Sequence, residues 1–268
     1  MAKVSLTSFS VIFFLFQAVF GRAIPADIAL QKNATFGLRI LPLGASITWG
    51  THSSTGNGYR KPLRDQLVAT GWKVDMVGSK SNGDMFDNVS QLDLYPRGYT
   101  HDLQQVEAHP GDTIDQVKAA SSNSLNYKPN VVLINAGTND CHLNVDIPNA
   151  GNRMQSLIEK LVGAEGMNST LIVLSTLLPS GNKAIQRNTP AVNDQYRSLV
   201  PEMRCKGLNI VLAEMNSPRG SWIRYPEDYT VDGQVDDTHP NDNGYAKMAM
   251  AWFMAVQKAA LQNIIHPP

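Results

Sequence analysis

Asp236-Asp237-Thr238-His239-Pro240 sets a histidine three residues after a carboxylate. On one compact loop that spacing lets Asp236 accept from Nδ1 of His239, which fixes the tautomer and leaves Nε2 free to take a hydroxyl proton. A hydroxyl is offered far upstream, where an apolar run ends in Gly44-Ala45-Ser46-Ile47-Thr48. A third cluster follows the β-branched run Val131 to Ala136, which stops on Gly137-Thr138-Asn139-Asp140, and there Asn139 presents a side-chain amide. Each cluster alone has an ordinary structural reading. A serine after a strand is commonly a turn residue, aspartates near a histidine are frequent in surface loops, and Thr, Asn and Asp satisfy orphan amides at helix N-termini. Together they supply a nucleophile, a base, an orienting acid and an amide donor, the parts of acyl transfer. Gly111, in His109-Pro110-Gly111-Asp112-Thr113-Ile114, offers a further oxyanion donor. A glycine in a tight turn lets its backbone amide approach a ligand with no Cβ in the way.

Residues this far apart in sequence need a scaffold that gathers strand ends. Short apolar runs alternate with helical patterns, which predicts an α/β fold with a parallel sheet covered on both faces. The candidate strands are Leu38 to Leu43, Lys73 to Gly78, Val131 to Ala136, Thr170 to Ser175 and Asn209 to Glu214. In such a sheet, ligands sit outside the carboxyl ends of the strands, where all three clusters fall. Tyr59 to Thr70 reads as a helix, with Pro62 in its first turn, Leu63 and Leu67 on one face and Gly71 as a stop. Met154, Leu157, Ile158, Leu161 and Val162 recur at core-facing helical spacing, as do Tyr245, Met248, Ala249, Trp252, Phe253 and Val256 near the C-terminus. These methionines and aromatics read as core. The segment from Ser79 to Pro110 has little periodicity, and a loop of that length predicts a functional overhang above the strand ends. With no internal repeat and no linker, one domain is the economical organisation.

Composition narrows the setting. The 268 residues are 43% hydrophobic and 17% charged, a globular balance, and the formal charge is zero with no basic cluster. The electrostatic footprint of nucleic-acid or anionic-membrane binding is therefore missing. Lys3, the apolar run Val11 to Phe20 and Gly21-Arg22-Ala23 have the shape of a secretory signal over residues 1–23, and the run is too short to span a membrane. An extension over 24–36 and a domain over 37–264 follow. Loss of Lys3 and Arg22 takes the basic count from 23 to 21 against 23 acidic residues, so the mature protein is expected to be secreted, soluble and faintly acidic. Sequons at Asn33, Asn88 and Asn168 agree with that address as glycosylation candidates. Cys141 and Cys205 are not expected to pair. One follows the C-terminal end of a strand and the other precedes the start of another, roughly 17 to 20 Å apart, while a disulfide needs Cα atoms within about 7 Å.

The four blocks also resemble the SGNH (GDSL-type) hydrolases, named for a Ser, Gly, Asn and His in separated blocks. Ser46 matches the first block, Gly111 the second, Asn139 the third, and Asp236 with His239 the last, over residues 38–250. The resemblance implies a three-layer α/β/α sandwich around a central, mostly parallel five-stranded sheet of flavodoxin-like type. It also implies a Ser46-His239-Asp236 triad, with the Ser46 amide, the Gly111 amide and the Asn139 side chain holding the oxyanion. Ala45 stands where the family usually has aspartate, a departure expected to alter turn support more than mechanism. A narrower likeness lies in Tyr59-Arg60, Val77-Gly78-Ser79, the His109 to Ile114 block and Asp237-Thr238-His239-Pro240-Asn241, which resemble carbohydrate esterase family 3. That family is known for removing acetyl groups from xylan. Asp112 departs where relatives often carry an aromatic residue.

The expected protein is thus a secreted, monomeric serine esterase acting on a polysaccharide or small ester, without cofactor or metal. Two alternatives stand: a lipase or lysophospholipase acting on longer acyl chains, and a catalytically retired carbohydrate-binding protein. A dinucleotide site lacks its Gly-x-Gly-x-x-Gly. The histidines His52, His101, His109, His142 and His266 are too scattered for a zinc site. Of these, His142 is placed to contact substrate.

Overall fold

The computed structural model describes residues 36–85 and 105–268. The signal segment, nearly all of the 24–36 extension, and the sequons at Asn33 and Asn88 lie outside the described residues.

Five strands form the body of one sheet: β1 (Leu38–Gly44), β2 (Val74–Met76), β4 (Val131–Asn135), β5 (Leu171–Ser175) and β6 (Ile210–Ala213). A short sixth strand, β3 (Glu107–Ala108), extends the edge beside β1. Every pairing in this sheet is parallel, in the order β2-β1-β4-β5-β6. The helices are α1 (Ser46–Trp49), α2 (Arg60–Ala69), α3 (Ile114–Ala120), α4 (Thr138–Leu143), α5 (Ala150–Val162), α6 (Lys183–Cys205) and α7 (Asp242–Leu261). A small antiparallel hairpin, β7 (Thr230–Val231) with β8 (Gln234–Val235), precedes α7 and was not foreseen from sequence. No helix among the described residues is long and apolar enough to cross a membrane.

The strands are mostly apolar because both faces are covered. Successive side chains alternate, so Leu38, Ile40, Val131, Leu133, Leu171 and Val173 meet Leu63 and Leu67 of α2 and Met248, Trp252 and Val256 of α7. Leu41, Leu43, Val132, Ile134, Ile172 and Leu174 meet Val117 of α3, Met154, Leu157 and Leu161 of α5, and Val192 and Tyr196 of α6. The result is the expected three-layer α/β/α sandwich. Helix α7 starts where Asn241 Oδ1 accepts from the Gly244 amide at 3.0 Å, and α6 where Asn182 Oδ1 accepts from Ala184 and Ile185.

Two expectations need correction. The second strand is confined to Val74–Met76; the Val77 amide still donates to the Ile40 carbonyl of β1, and Gly78 then packs against the backbone of Val106. The stretch from Ser79 to Pro110 is also more than an overhang. Its ends pair through Lys80 with Val106, and Glu107 and Ala108 add to β1 opposite Leu43 and Gly44. Lack of periodicity hid these residues, because two-residue strands have no period to detect. Residues 86–104 of that stretch lie outside the described residues. Cys141 is buried in α4, Cys205 is exposed at the end of α6, and both are free thiols.

Leu133 is wholly buried at the middle of the central strand. Leu133→Ala is expected to cost about 2 to 5 kcal/mol, measured as a lowered denaturant midpoint with an unchanged slope. A cost within experimental error would mean that this layer is not tightly packed.

Candidate active site

The strand order reverses between β1 and β4, and an open α/β sheet accepts ligands at such a point. Gly44 of β1 lies opposite Asn135 of β4, so the two strands end together. From β1 the chain turns through Ala45, which offers no side-chain cap, and Ser46 begins α1. From β4 it turns through Gly137 at φ +117° into α4, which carries Asn139. Only glycine suits Gly137, because a Cβ there would stand 2.8 Å from the Tyr196 hydroxyl, itself donating to the Ala136 carbonyl. The recess between the two turns, lined by Ala45, Ser46, Asn135, Gly137 and Asn139, encloses only about 10 Å³.

The loop before α7 brings in the histidine. His239 Nε2 lies 2.9 Å from Ser46 Oγ, and its Nδ1 lies 3.0 Å from Asp236 Oδ2. The other Asp236 oxygen accepts from the amides of Thr238 at 2.7 Å and His239 at 2.8 Å. Partial burial pushes the Asp236 carboxyl up. The bonds from the His239 ring and from the two amides, with the His239 charge, outweigh that and hold it below the usual aspartate value. A carboxylate so held donates nothing, so Nδ1 carries a proton, and in the neutral ring Nε2 is the nitrogen left to accept from the serine. Backbone contacts anchor the loop: Asn241 Nδ2 donates to Glu227 and Thr230 carbonyls, and His52 Nδ1 donates to the His239 carbonyl at 3.1 Å. His52, one of the histidines too scattered for a zinc site, therefore touches the loop that carries His239.

The turn carrying Gly111 is fixed at three points. Asn139 Nδ2 donates to the Asp112 carbonyl at 2.8 Å, which orients the amide and leaves its second N–H free. Asp140 Oδ2 accepts from the Ile114 amide at 3.0 Å, while its Oδ1 takes Arg153 Nη1. The capping role expected of Asp140 is therefore real, but the helix it caps is α3 and not its own. At the front, the His109 amide donates to the Gly44 carbonyl at 3.3 Å, and His109 Nε2 meets Glu107 Oε1 at 2.8 Å. Gly111 sits in this turn at φ +95°, with open space where a Cβ would be, so its conformation and not its size calls for glycine.

Glu107 was missed in the sequence. Its side chain is fully buried and accepts from Ser124 Oγ, His109 and the Ser79 amide at 3.3 Å. Burial pushes its carboxyl up, but these bonds and the His109 charge hold it below the ordinary glutamate value. The signal was the i, i+2 spacing of Glu107 and His109, which sets two side chains on one face of a strand. Arg60 is also wholly buried, donating through Nη2 to the Trp49, Gly56 and Asn82 carbonyls and so bracing the loop that leaves α1. His142 is exposed on α4, and Asn168 is exposed in the turn before β5.

A hydroxyl, an imidazole and a carboxylate in one hydrogen-bonded chain, beside a glycine turn and an amide, can generate an alkoxide nucleophile and receive an oxyanion. A GDSL-like lipase/acylhydrolase family model matches residues 40–252. The chain belongs to that family. It is accordingly an ester hydrolase of the SGNH type.

Solved structures give the same fold. A family 3 carbohydrate esterase from Clostridium thermocellum superposes with a TM-score of 0.65 at 23% identity, covering 86% of this chain and all of that one. A family 3 carbohydrate esterase from Talaromyces cellulolyticus gives 0.59 at 22%, covering 85% and 98%. An acetyl esterase mutant with an acetate ion gives 0.59 at 21%, with the same coverage. No curated protein matches the chain in sequence.

Because the Glu107 carboxylate is favoured in the folded state, its stabilisation is present above the unfolded value of about 4.3 and is lost as pH falls through the lower folded value. Glu107→Gln is expected to be less stable than the native protein at neutral pH, with the gap closing below about pH 4. Denaturant titrations at several pH values check this. A gap independent of pH would show that the charge of Glu107 contributes nothing.

Proposed function

We propose that Ser46, His239 and Asp236 are the catalytic triad of a secreted, monomeric esterase that deacetylates plant cell-wall polysaccharide such as acetylxylan. The observation that carries the mechanism is the continuous chain from Ser46 Oγ through the His239 ring to Asp236. His239 takes the Ser46 proton as the oxygen attacks the ester carbonyl. The oxyanion rests on the Ser46 amide, the Gly111 amide and the free N–H of Asn139. His239 then gives the proton to the leaving alcohol, and the acyl-enzyme forms. Water, deprotonated by the same ring, attacks the acyl carbon and releases the acid with Ser46 restored. No cofactor or metal enters these steps.

Acetyl specificity draws on the acetyl esterase among the structural relatives. The polysaccharide reading draws on the family 3 carbohydrate esterases among the structural relatives, on the signal-like N-terminus and on the sequons, with the exposed Asn168 a glycosylation site.

Asn139→Ala is expected to lower turnover by about 10² to 10³, the usual loss of one oxyanion donor, with KM little changed. Activity equal to the native enzyme would remove Asn139 from the oxyanion site. On a p-nitrophenyl ester series, acetyl is expected to be the best substrate, with a sharp fall by butyryl, and acetate should be released from acetylated xylan. Preference for long acyl chains would point to a lipase or lysophospholipase. A serine-directed phosphonate should label Ser46, and failure to label the folded protein would point to a retired binding protein.

A further inference from the structure

The loop that carries Asp236 and His239 abuts a second concavity through hydrogen bonds to two of its walls. Asp237, between them, offers its carbonyl to the Gly181 amide at 2.8 Å and to Ser180 Oγ, and its carboxylate accepts from the Tyr225 hydroxyl at 2.7 Å. Ser180 and Tyr225 are walls of a cavity of about 680 Å³ at the carboxyl ends of β5 and β6, inside the range of roughly 300 to 1,000 Å³ usual for ligand sites. Asp237 is two residues from His239, so their Cα atoms are at most about 7 Å apart, and Asp237 bonds directly to two of the cavity's walls.

The lining is chemically mixed. Leu178, Pro179 and Pro190 present apolar surface, and Tyr225 adds a ring held edge-on by Tyr229 at 5.6 Å. Charges in the wall balance: Arg197 and Arg224 face Asp194 and Glu227. Arg197 is already held by Glu214 and Asp194. The side chains of Gln186 and Arg224 line the cavity, are exposed, and make no hydrogen bond to any described residue, so their donors are available to a ligand. A cavity without net charge that combines a flat ring, apolar patches and free donors suits a neutral molecule with apolar faces and hydroxyl edges. A pyranose is such a molecule.

We infer that this cavity binds unesterified glycosyl units of a neutral polysaccharide whose acetylated unit lies at Ser46. The inference rests on the proposed polysaccharide reading and adds to it a main-chain subsite set apart from the acyl recess. Binding there would hold the polymer in register with the serine, and a small ester would gain nothing from it.

The test pairs two substrates and one direct measurement, using the double variant Gln186→Ala/Arg224→Ala of the whole chain. KM for acetylated xylo-oligosaccharide is expected to rise roughly tenfold, which is about 1.4 kcal/mol shared between the two lost hydrogen bonds. Turnover, and kcat/KM for p-nitrophenyl acetate, should stay at native values. Unacetylated xylo-oligosaccharide should bind the native protein by calorimetry and bind the variant roughly tenfold more weakly. Native KM on the oligosaccharide, or no measurable binding of the unacetylated chain to the native protein, overturns the subsite. If the native enzyme cleaves p-nitrophenyl acetate but frees no acetate from the acetylated chain, the substrate reading fails instead, and the binding measurement still decides the cavity.

Discussion

The parallel pairing of β1 with β4, which sets Gly44 opposite Asn135, is the constraint on which the rest of the site depends. It brings two chain segments some ninety positions apart to the same sheet edge, at the point where the strand order reverses. One turn then delivers Ser46 and the other Asn139, both lining the same recess. The register cannot slip by one residue, because alternate side chains of both strands are committed to opposite buried faces. Leu41 and Leu43 pack with α5 and α6, whereas Leu38 and Ile40 pack with α2 and α7. Packing of the core and placement of the site are therefore the same decision.

Around this edge, hydrogen-bonded carboxylates hold the loops in place. Glu107 fixes His109 and Asp140 fixes Ile114, one at each end of the turn that carries Gly111. Asp236 does the same for His239, with three donors converging on it. Each carboxylate gives up some hydration, and each recovers it from hydrogen bonds aimed at its charged form. Groups arranged in this way need no reorganisation when an oxyanion forms nearby, which is the physical basis of a preorganised site. Asn139 fits the same pattern, as its bond to the Asp112 carbonyl aims the remaining N–H.

Much of this was legible in the chain itself. The alternation of apolar strands with amphipathic helices implied the three layers, since a sheet apolar on both faces must be covered on both. Leu63 with Leu67, and Met248 with Trp252, identified the helices that do the covering. The local pairing of Asp236 with His239 followed from a spacing of three residues, and Gly111 stood out as a turn former. Less legible were β3 and the buried Glu107. A strand of two residues has no periodicity, and a lone glutamate reads as surface until the partners Ser124, Ser79 and His109 surround it.

What the sequence determined was composition of the layers and chemistry of the parts: which runs are buried, which residues can donate, accept or attack. Short-range geometry, set by turns and helix caps, was contained in it as well. Only the tertiary structure decided which parts meet. The 2.9 Å contact of Ser46 with His239 spans 193 positions of chain, and Asp140 caps a helix 26 positions away. The link of Asp237 to the wall of a separate cavity is of the same kind. Such contacts depend on the relative placement of rigid elements, which local propensity does not encode and which packing on both faces of one sheet does.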